Sequence, residues 1–254
     1  MNCFNIVDSG YVELTENQIR NFQQPHMLTH DLHIACLDSQ SLSHLKNFSA
    51  GTRNIHFMDK LIVNHTAKHA EYGDESFRKI TSIRPSMIFD IVMELDGALH
   101  TEADIVWFKD PREIVERHDS YDWLIQHDNP HIDNTWINMG CAYYTSTIGS
   151  QKLFREWVNF HKTSGMMDQE SLMCMLDSYV PPQLREFGEH AGYKQACDSM
   201  GVKIVTWGRD EVQNGYNAFR EDYYKKYSPY AIHANHHVGV RAKIELLKLC
   251  GGWI

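Results

Sequence analysis

Three short β-prone runs, at residues 3–7 (CFNIV), 32–37 (LHIACL) and 54–58 (NIHFM), constrain this chain most. Helical stretches separate them, at Thr15–Phe22 and Asp38–Leu45. Antiparallel strands can be joined by two residues, whereas a parallel neighbour needs a crossover of about a dozen or more, usually a helix. Alternation at this spacing predicts an α/β fold, a mixed but mostly parallel sheet flanked by helices. The first run breaks at Asp8-Ser9-Gly10-Tyr11. A glycine-bearing turn between a first strand and its helix is where open α/β sheets place a ligand.

The same reading continues along the chain. Phe77–Leu95 is helical, with a break expected at Arg84-Pro85, because proline suits a first helical turn and drives the preceding residue out of helix. From Met87 to Leu95 the segment is apolar nearly all round, so it is expected to be buried, and Gly97 ends it. A short helix over Arg112–Arg117 precedes a strand at Trp123–Gln126, which runs into His127-Asp128-Asn129-Pro130. Trp136–Tyr144 is β-rich and interrupted by Gly140, the mark of a bulge or a close backbone approach. Helices follow at Lys152–Phe160 and from Asp168 to Leu176, with Asp168 placed as an N-cap. The pattern then predicts a helix at Ala191–Met200, strands at Val202–Trp207 and Tyr230–Ala234, and a last helix at Arg241–Leu249. With no linker and no repeat, residues 1–254 are expected to form one domain.

The formal net charge of −9 argues against a nucleic-acid partner, which requires a basic face. No 18-residue apolar run occurs, and the first residues lack a basic region followed by an apolar core. Neither a signal peptide nor a membrane anchor is expected. The six cysteines are scattered and form no C-x-x-C pair, which favours reduced thiols and a soluble, cytoplasmic protein. On that basis the sequons at Asn47 and Asn64 are taken as chance. His65 and His69 have helical metal-ligand spacing but lack a third ligand.

The stretch with chemical content is Asp96–Pro111, DGALHTEADIVWFKDP. Glu102 and Asp104 stand two residues apart before an apolar run. On an extended segment they would face one side. There both could reach one hard divalent cation, which prefers oxygen ligands and leaves positions for phosphate oxygens. Solvated pairs of this kind are common, so the weight rests on what accompanies the pair.

Four features in order resemble the nucleotide-diphospho-sugar transferase family with the GT-A fold, the group that includes plant and algal galactosyl-, xylosyl- and arabinosyltransferases. They are Arg84, Gly97, Glu102 and Asp104 with Asp110-Pro111; Asn138-x-Gly140 leading to Tyr143-Tyr144; Asp168-Gln169; and His233-x-Asn235 with Gly239, Lys243 and Gly252-Trp253. Together they span residues 84–253. The Asp8, Gly10 and Tyr11 turn resembles the family's first nucleotide loop. Where the family writes Asp-x-Asp, this chain has Glu102 first, and where the family has lysine it has Arg84.

The resemblance implies a Rossmann-like GT-A domain that moves a sugar from a nucleotide diphosphate, UDP above all, to a hydroxyl of a glycan or glycoprotein, with retention. It implies Asp104, Glu102 and His233 as ligands of Mn2+ or Mg2+, and Lys243 and Arg84 as holders of phosphate charge. Gly239 would let backbone approach the diphosphate. Asp168 would lie nearest the transferring sugar with Gln169 beside it, and Asn138, Gly140 and Asn235 would line the pocket. Plainer readings stand beside these: Asp168 as a simple cap, Arg84 as a surface ion pair, His233 as a packed strand histidine. A non-catalytic nucleotide- or sugar-binding relative and a metal-dependent phosphohydrolase remain as rival functions. The oligomeric state, the donor sugar and the acceptor are left open.

Overall fold

The computed structural model describes residues 1–58, 75–128, 136–179, 186–187, 193–197, 200–208, 210–220 and 222–254. The His65/His69 pair, Asn64 and Asn129–Pro130 lie outside them.

The first half alternates as expected: β1 (Asn2–Val7), α1 (Val12–Asn21), β2 (Asp31–Cys36), α2 (Ser39–Phe48) and β3 (Ile55–Phe57). Then come α3 (Glu75–Glu94), β4 (Ala98–Thr101), β5 (Ile105–Trp107), α4 (Pro111–Arg117), β6 (Trp123–His127), β7 (Ile137–Tyr144), α5 (Ile148–Ser164) and α6 (Asp168–Tyr179). The last part holds β8 (Glu186–Phe187), β9 (Tyr193–Cys197), β10 (Val202–Trp207), β11 (Val212–Asn214), α7 (Gly215–Arg220), α8 (Tyr223–Lys226), β12 (Ala231–His233) and α9 (Val240–Leu249). Nine strands form the main sheet in the order β3-β2-β1-β4-β7-β6-β10-β9-β8, and β11-β12-β5 form a second, small sheet. The pairings β3–β2, β2–β1, β1–β4 and β6–β10 are parallel. Strands β7 and β9 run against their neighbours.

Period-2 alternation builds the core. Phe4, Ala35, Trp123 and Ile204 pack on one side of the sheet with Ile88, Ile91, Phe154 and Trp157 from α3 and α5. Their chain neighbours Cys3, Ile34, Leu124 and Val205 pack on the other side with Ile19, Phe22, Trp107 and Ile114. Successive side chains of a strand point to opposite faces, so a sheet buried on both sides reads as a near-continuous apolar run. Asp38 caps α2, accepting from Ser41 N at 2.7 Å, and its second oxygen accepts from Ser9 N at 2.7 Å. One carboxylate thus fixes both the helix start and the first turn. Among the described residues no helix is long and apolar enough to cross a membrane, and Cys3, Cys36, Cys141, Cys174 and Cys250 are free thiols.

Three sequence expectations are corrected. Helix α3 runs unbroken through Pro85. Proline costs a helix interior one hydrogen bond and a clash, about 3 kcal/mol, yet Pro85 is buried and Ile88, Ile91 and Val92 beyond it are fully so. Burial of that face holds the helix together. The segment expected as a helix at Ala191–Met200 contains β9 instead, paired antiparallel with β10 from Val202↔Cys197 to Val205↔Lys194. Pairing with an open sheet edge overrides local preference there. Third, Met167 rather than Asp168 caps α6: Ser171 N donates to Met167 O at 2.8 Å, and Asp168 stands inside the first turn with Oδ1 accepting from Gln169 N at 2.9 Å.

Candidate active site

Glu102 and Asp104 do not share one extended segment. They occupy a tight turn between β4, in the main sheet, and β5, in the small one, with Ile105 N donating to Glu102 O at 3.0 Å. The chain bends because its two strands belong to different sheets. That bend still brings the acids together, and β12 adds the third group. Strand β12 pairs antiparallel with β5, setting His233 opposite Ile105, and Ala234 N donates to Asp104 O at 2.9 Å. A buried amide supports the turn from below: Gln18 Nε2 donates to the carbonyls of Thr101 and Glu102 at 2.9 and 3.0 Å.

His233 Nε2 lies 3.4 Å from Glu102 Oε2 and 3.3 Å from Asp104 Oδ1. It is buried and makes no aligned hydrogen bond. Its Nδ1 donates to Gln126 Oε1 at 2.6 Å, the arrangement that turns the other ring nitrogen toward a metal. One atom from each of the three residues falls within 4.8 Å of the others. Three atoms bound about 2.2 Å from a shared cation have separations of this order. The residues therefore fit a divalent ion. Burial would lower the His233 imidazole, but Asp104 and Glu102 raise it to about 9.

Each acid has its outer oxygen held by a cation. Lys243 Nζ, on α9, donates to Asp104 Oδ2 at 2.5 Å, and Arg84, on α3, pairs with Glu102 Oε1. Burial would push both carboxyls up, yet Arg84 and His233 hold Glu102, and Lys243 and His233 hold Asp104, well below the usual carboxylate range. Arg84 also reaches Asp168 Oδ2 at 3.3 Å. Asp168 is pushed up, burial outweighing Arg84 and the Gln169 N–H. An unbroken line of charge thus runs Lys243–Asp104–His233–Glu102–Arg84–Asp168, and it joins residues 159 positions apart in sequence.

The remaining expected residues gather around this line. Tyr11 lies beneath Lys243, whose Nζ is 5.4 Å from the ring centroid. Asp8 Oδ1 accepts from Gly10 N at 2.9 Å and shapes the turn that carries Tyr11. Gly239 stands at the start of α9 with φ +85° and open space where a Cβ would sit. Asn138 and Asn235 spend their oxygens inside the protein, on Gly140 N at 2.8 Å and Gly215 N at 2.9 Å. Their amide nitrogens, like that of Gln169, point to Asp128. Gln18 and Gln126 were not among the expected site residues. Gln126 near the end of β6 and Asp128 just beyond it, two apart after Leu124, would share one face, a period-2 signal present in the sequence.

Gly140 is required by space. A Cβ there would lie 2.3 Å from Glu102 Oε2 and 2.6 Å from Glu102 Cδ. Gly140→Ala is expected to destabilise the fold by about 1–3 kcal/mol through overpacking and to displace the ligand oxygen. Mn2+ titrations of folded variant and parent check this; equal affinities would show that the Glu102 oxygen is dispensable.

The sequence matches the profile of the nucleotide-diphospho-sugar transferases over residues 27–247. The chain belongs to the nucleotide-diphospho-sugar transferase family. It is thereby a glycosyltransferase by family, and the fold agrees. Galactosyltransferase LgtC, solved with donor and acceptor sugar analogues, superposes with a TM-score of 0.57 at 13% identity, over 100% of this chain and 96% of LgtC. Mouse xyloside xylosyltransferase 1 gives 0.54 at 11% identity, over 93% and 98%. The WbbM bifunctional glycosyltransferase gives 0.58 at 11%, over 97% of this chain, which spans only 49% of WbbM. At such identities the likeness concerns the GT-A fold. No curated protein sequence is matched.

Proposed function

We propose that this transferase moves a sugar from a UDP-linked donor to a hydroxyl of a glycan or glycoprotein, with Mn2+ bound and with retention of configuration. The observation that carries the metal is the inward-facing trio of Glu102 Oε2, Asp104 Oδ1 and His233 Nε2. Mixed carboxylate and imidazole ligation suits manganese, with magnesium second. UDP and retention rest on the family resemblance of the motifs. A cation held there would stabilise the charge that develops on the leaving diphosphate.

The chain's own groups do the rest. Lys243 and Arg84 supply the fixed positive charge of the phosphate corner. Asp168, tied to that corner through Arg84, is the carboxylate assigned to the donor sugar, either bonding its hydroxyls or stabilising an oxocarbenium-like centre. The free thiols support a cytoplasmic setting; a tagged chain found on Golgi membranes would contradict it.

Thermal unfolding with a panel of nucleoside diphosphates, with and without Mn2+, tests the reading. Ligand at about 100 times its Kd adds roughly 2.7 kcal/mol, a midpoint rise of about 5–10 °C for a chain this size. A Mn2+-dependent rise with UDP is expected. A rise that ignores Mn2+ removes the metal role, and no rise with any nucleotide removes the transferase reading.

A further inference from the structure

The densest polar convergence in the described residues lies beside the charged line, on Asp128. This carboxylate is 7% exposed and follows directly on β6. Its Oδ1 accepts from Asn235 Nδ2 at 2.7 Å, Asn138 Nδ2 at 3.2 Å and His236 Nε2 at 3.2 Å. Its Oδ2 accepts from Gln169 Nε2 at 3.3 Å. Even its backbone carbonyl is used, by Asn214 Nδ2 at 3.0 Å and His236 Nε2 at 3.2 Å. The donors come from β7, α6, β11 and the segment after β12. His236 reaches Asp128 with φ +59°, a left-handed backbone in a residue other than glycine, which persists only where surroundings impose it.

A carboxylate only accepts hydrogen bonds, whereas an amide has one accepting and one donating end. Asp128 therefore fixes the orientation of three amides at once. For Asn138 and Asn235 the other end is spent on Gly140 and Gly215. For Gln169 it is not: Oε1 has no partner among the described residues, one position from Asp168. We propose that Asp128 is a positioning residue for the donor sugar, holding Gln169 so that Oε1 is presented as a hydroxyl acceptor beside Asp168. This rests on the transferase reading above. The other three bonds make Asp128 a rigid mount.

Calorimetric titration of UDP, UDP-glucose, UDP-galactose and UDP-xylose, with Mn2+ present, tests the positioning role. In Asp128→Asn the new amide turns N–H groups on the donors around it, and Gln169 loses its fixed orientation. UDP affinity is expected to stay within about twofold, while the affinity the sugar adds falls about tenfold, the scale of one hydrogen bond. Gln169→Ala is expected to do the same, and the double variant to be no worse than the poorer single one, since residues acting through one contact are not additive. Should Asp128→Asn fail to fold, Asp128→Glu keeps the charge but shifts it by one methylene, and the same loss of the sugar's share is expected. Loss of UDP affinity in parallel with the sugar, unchanged sugar affinity, or multiplying losses in the double variant would each overturn the proposal. A parent protein that binds UDP but gains nothing from any sugar overturns it and leaves the transferase reading standing. One that binds none of these probes removes both.

Discussion

Asp104→Asn is expected to lower turnover about a thousandfold on whichever donor the nucleotide panel identifies, and to erase the Mn2+-dependent rise with UDP. Charge stabilisation by a bound metal contributes several kcal/mol to a transition state, and each 1.36 kcal/mol is a factor of ten in rate. Asparagine keeps the shape but not the charge that Asp104 turns on the cation site. It also strands Lys243, whose side chain is only 13% exposed and whose partner is 2% exposed. Breaking a buried pair by removing one member costs about 3–5 kcal/mol, so lost activity alone would be ambiguous. Asp104→Asn/Lys243→Met, compared with Lys243→Met alone because Lys243 also serves the phosphate corner, resolves it. With the stranded cation gone, stability measured in denaturant should recover most of the way, while turnover and the Mn2+ effect should not return. A double variant that regains Mn2+-dependent UDP binding would show that Asp104 acts only as the partner of Lys243.

Much of this site was legible because its residues fall in ordered motifs, and those motifs sit at strand ends that period-2 apolar runs announce. The runs at residues 3–7, 32–37 and 202–207 carry little information about pairing, but each is long enough to mark a strand buried on both faces. The Glu102-x-Asp104 pair was found for a reason that needed amending: the acids converge through a turn between two sheets, not along one strand. His233 was reachable only through its resemblance to a motif, because antiparallel pairing of residues 231–233 with 105–107 joins segments more than a hundred positions apart. No local pattern encodes that register. Pro85 misled for the complementary reason, a local penalty being outweighed by burial of the helix face beyond it. The hub at Asp128 is not legible in the sequence, because it lies in partners scattered over residues 138 to 236.

Arg84→Met carries the second large expectation, a loss of about 3–5 kcal/mol at pH 7, or a fall of about 6–20 °C in Tm. The guanidinium serves two carboxylates, and its side chain is 14% exposed against 27% for Glu102 and 7% for Asp168. Without it both acids are left in a buried setting with one fewer cation, and both carboxyls move up. The sign of the pH dependence follows. In the parent, Glu102 lies well below its ordinary value of 4.5, so its contribution is present above that value and is lost as pH falls through the depressed one. In Arg84→Met the folded state takes up protons at higher pH than the parent does, which relieves the uncompensated charge. The difference between parent and variant should therefore be widest near neutrality and narrow below about pH 4.5, the ordinary glutamate range. Denaturant unfolding of both proteins at pH 7 and pH 4, in the absence of divalent ions, measures it directly. A gap that stays constant across that range would mean that Arg84 stabilises through the packing of its aliphatic stem, and the charged line would then lose its link between Glu102 and Asp168.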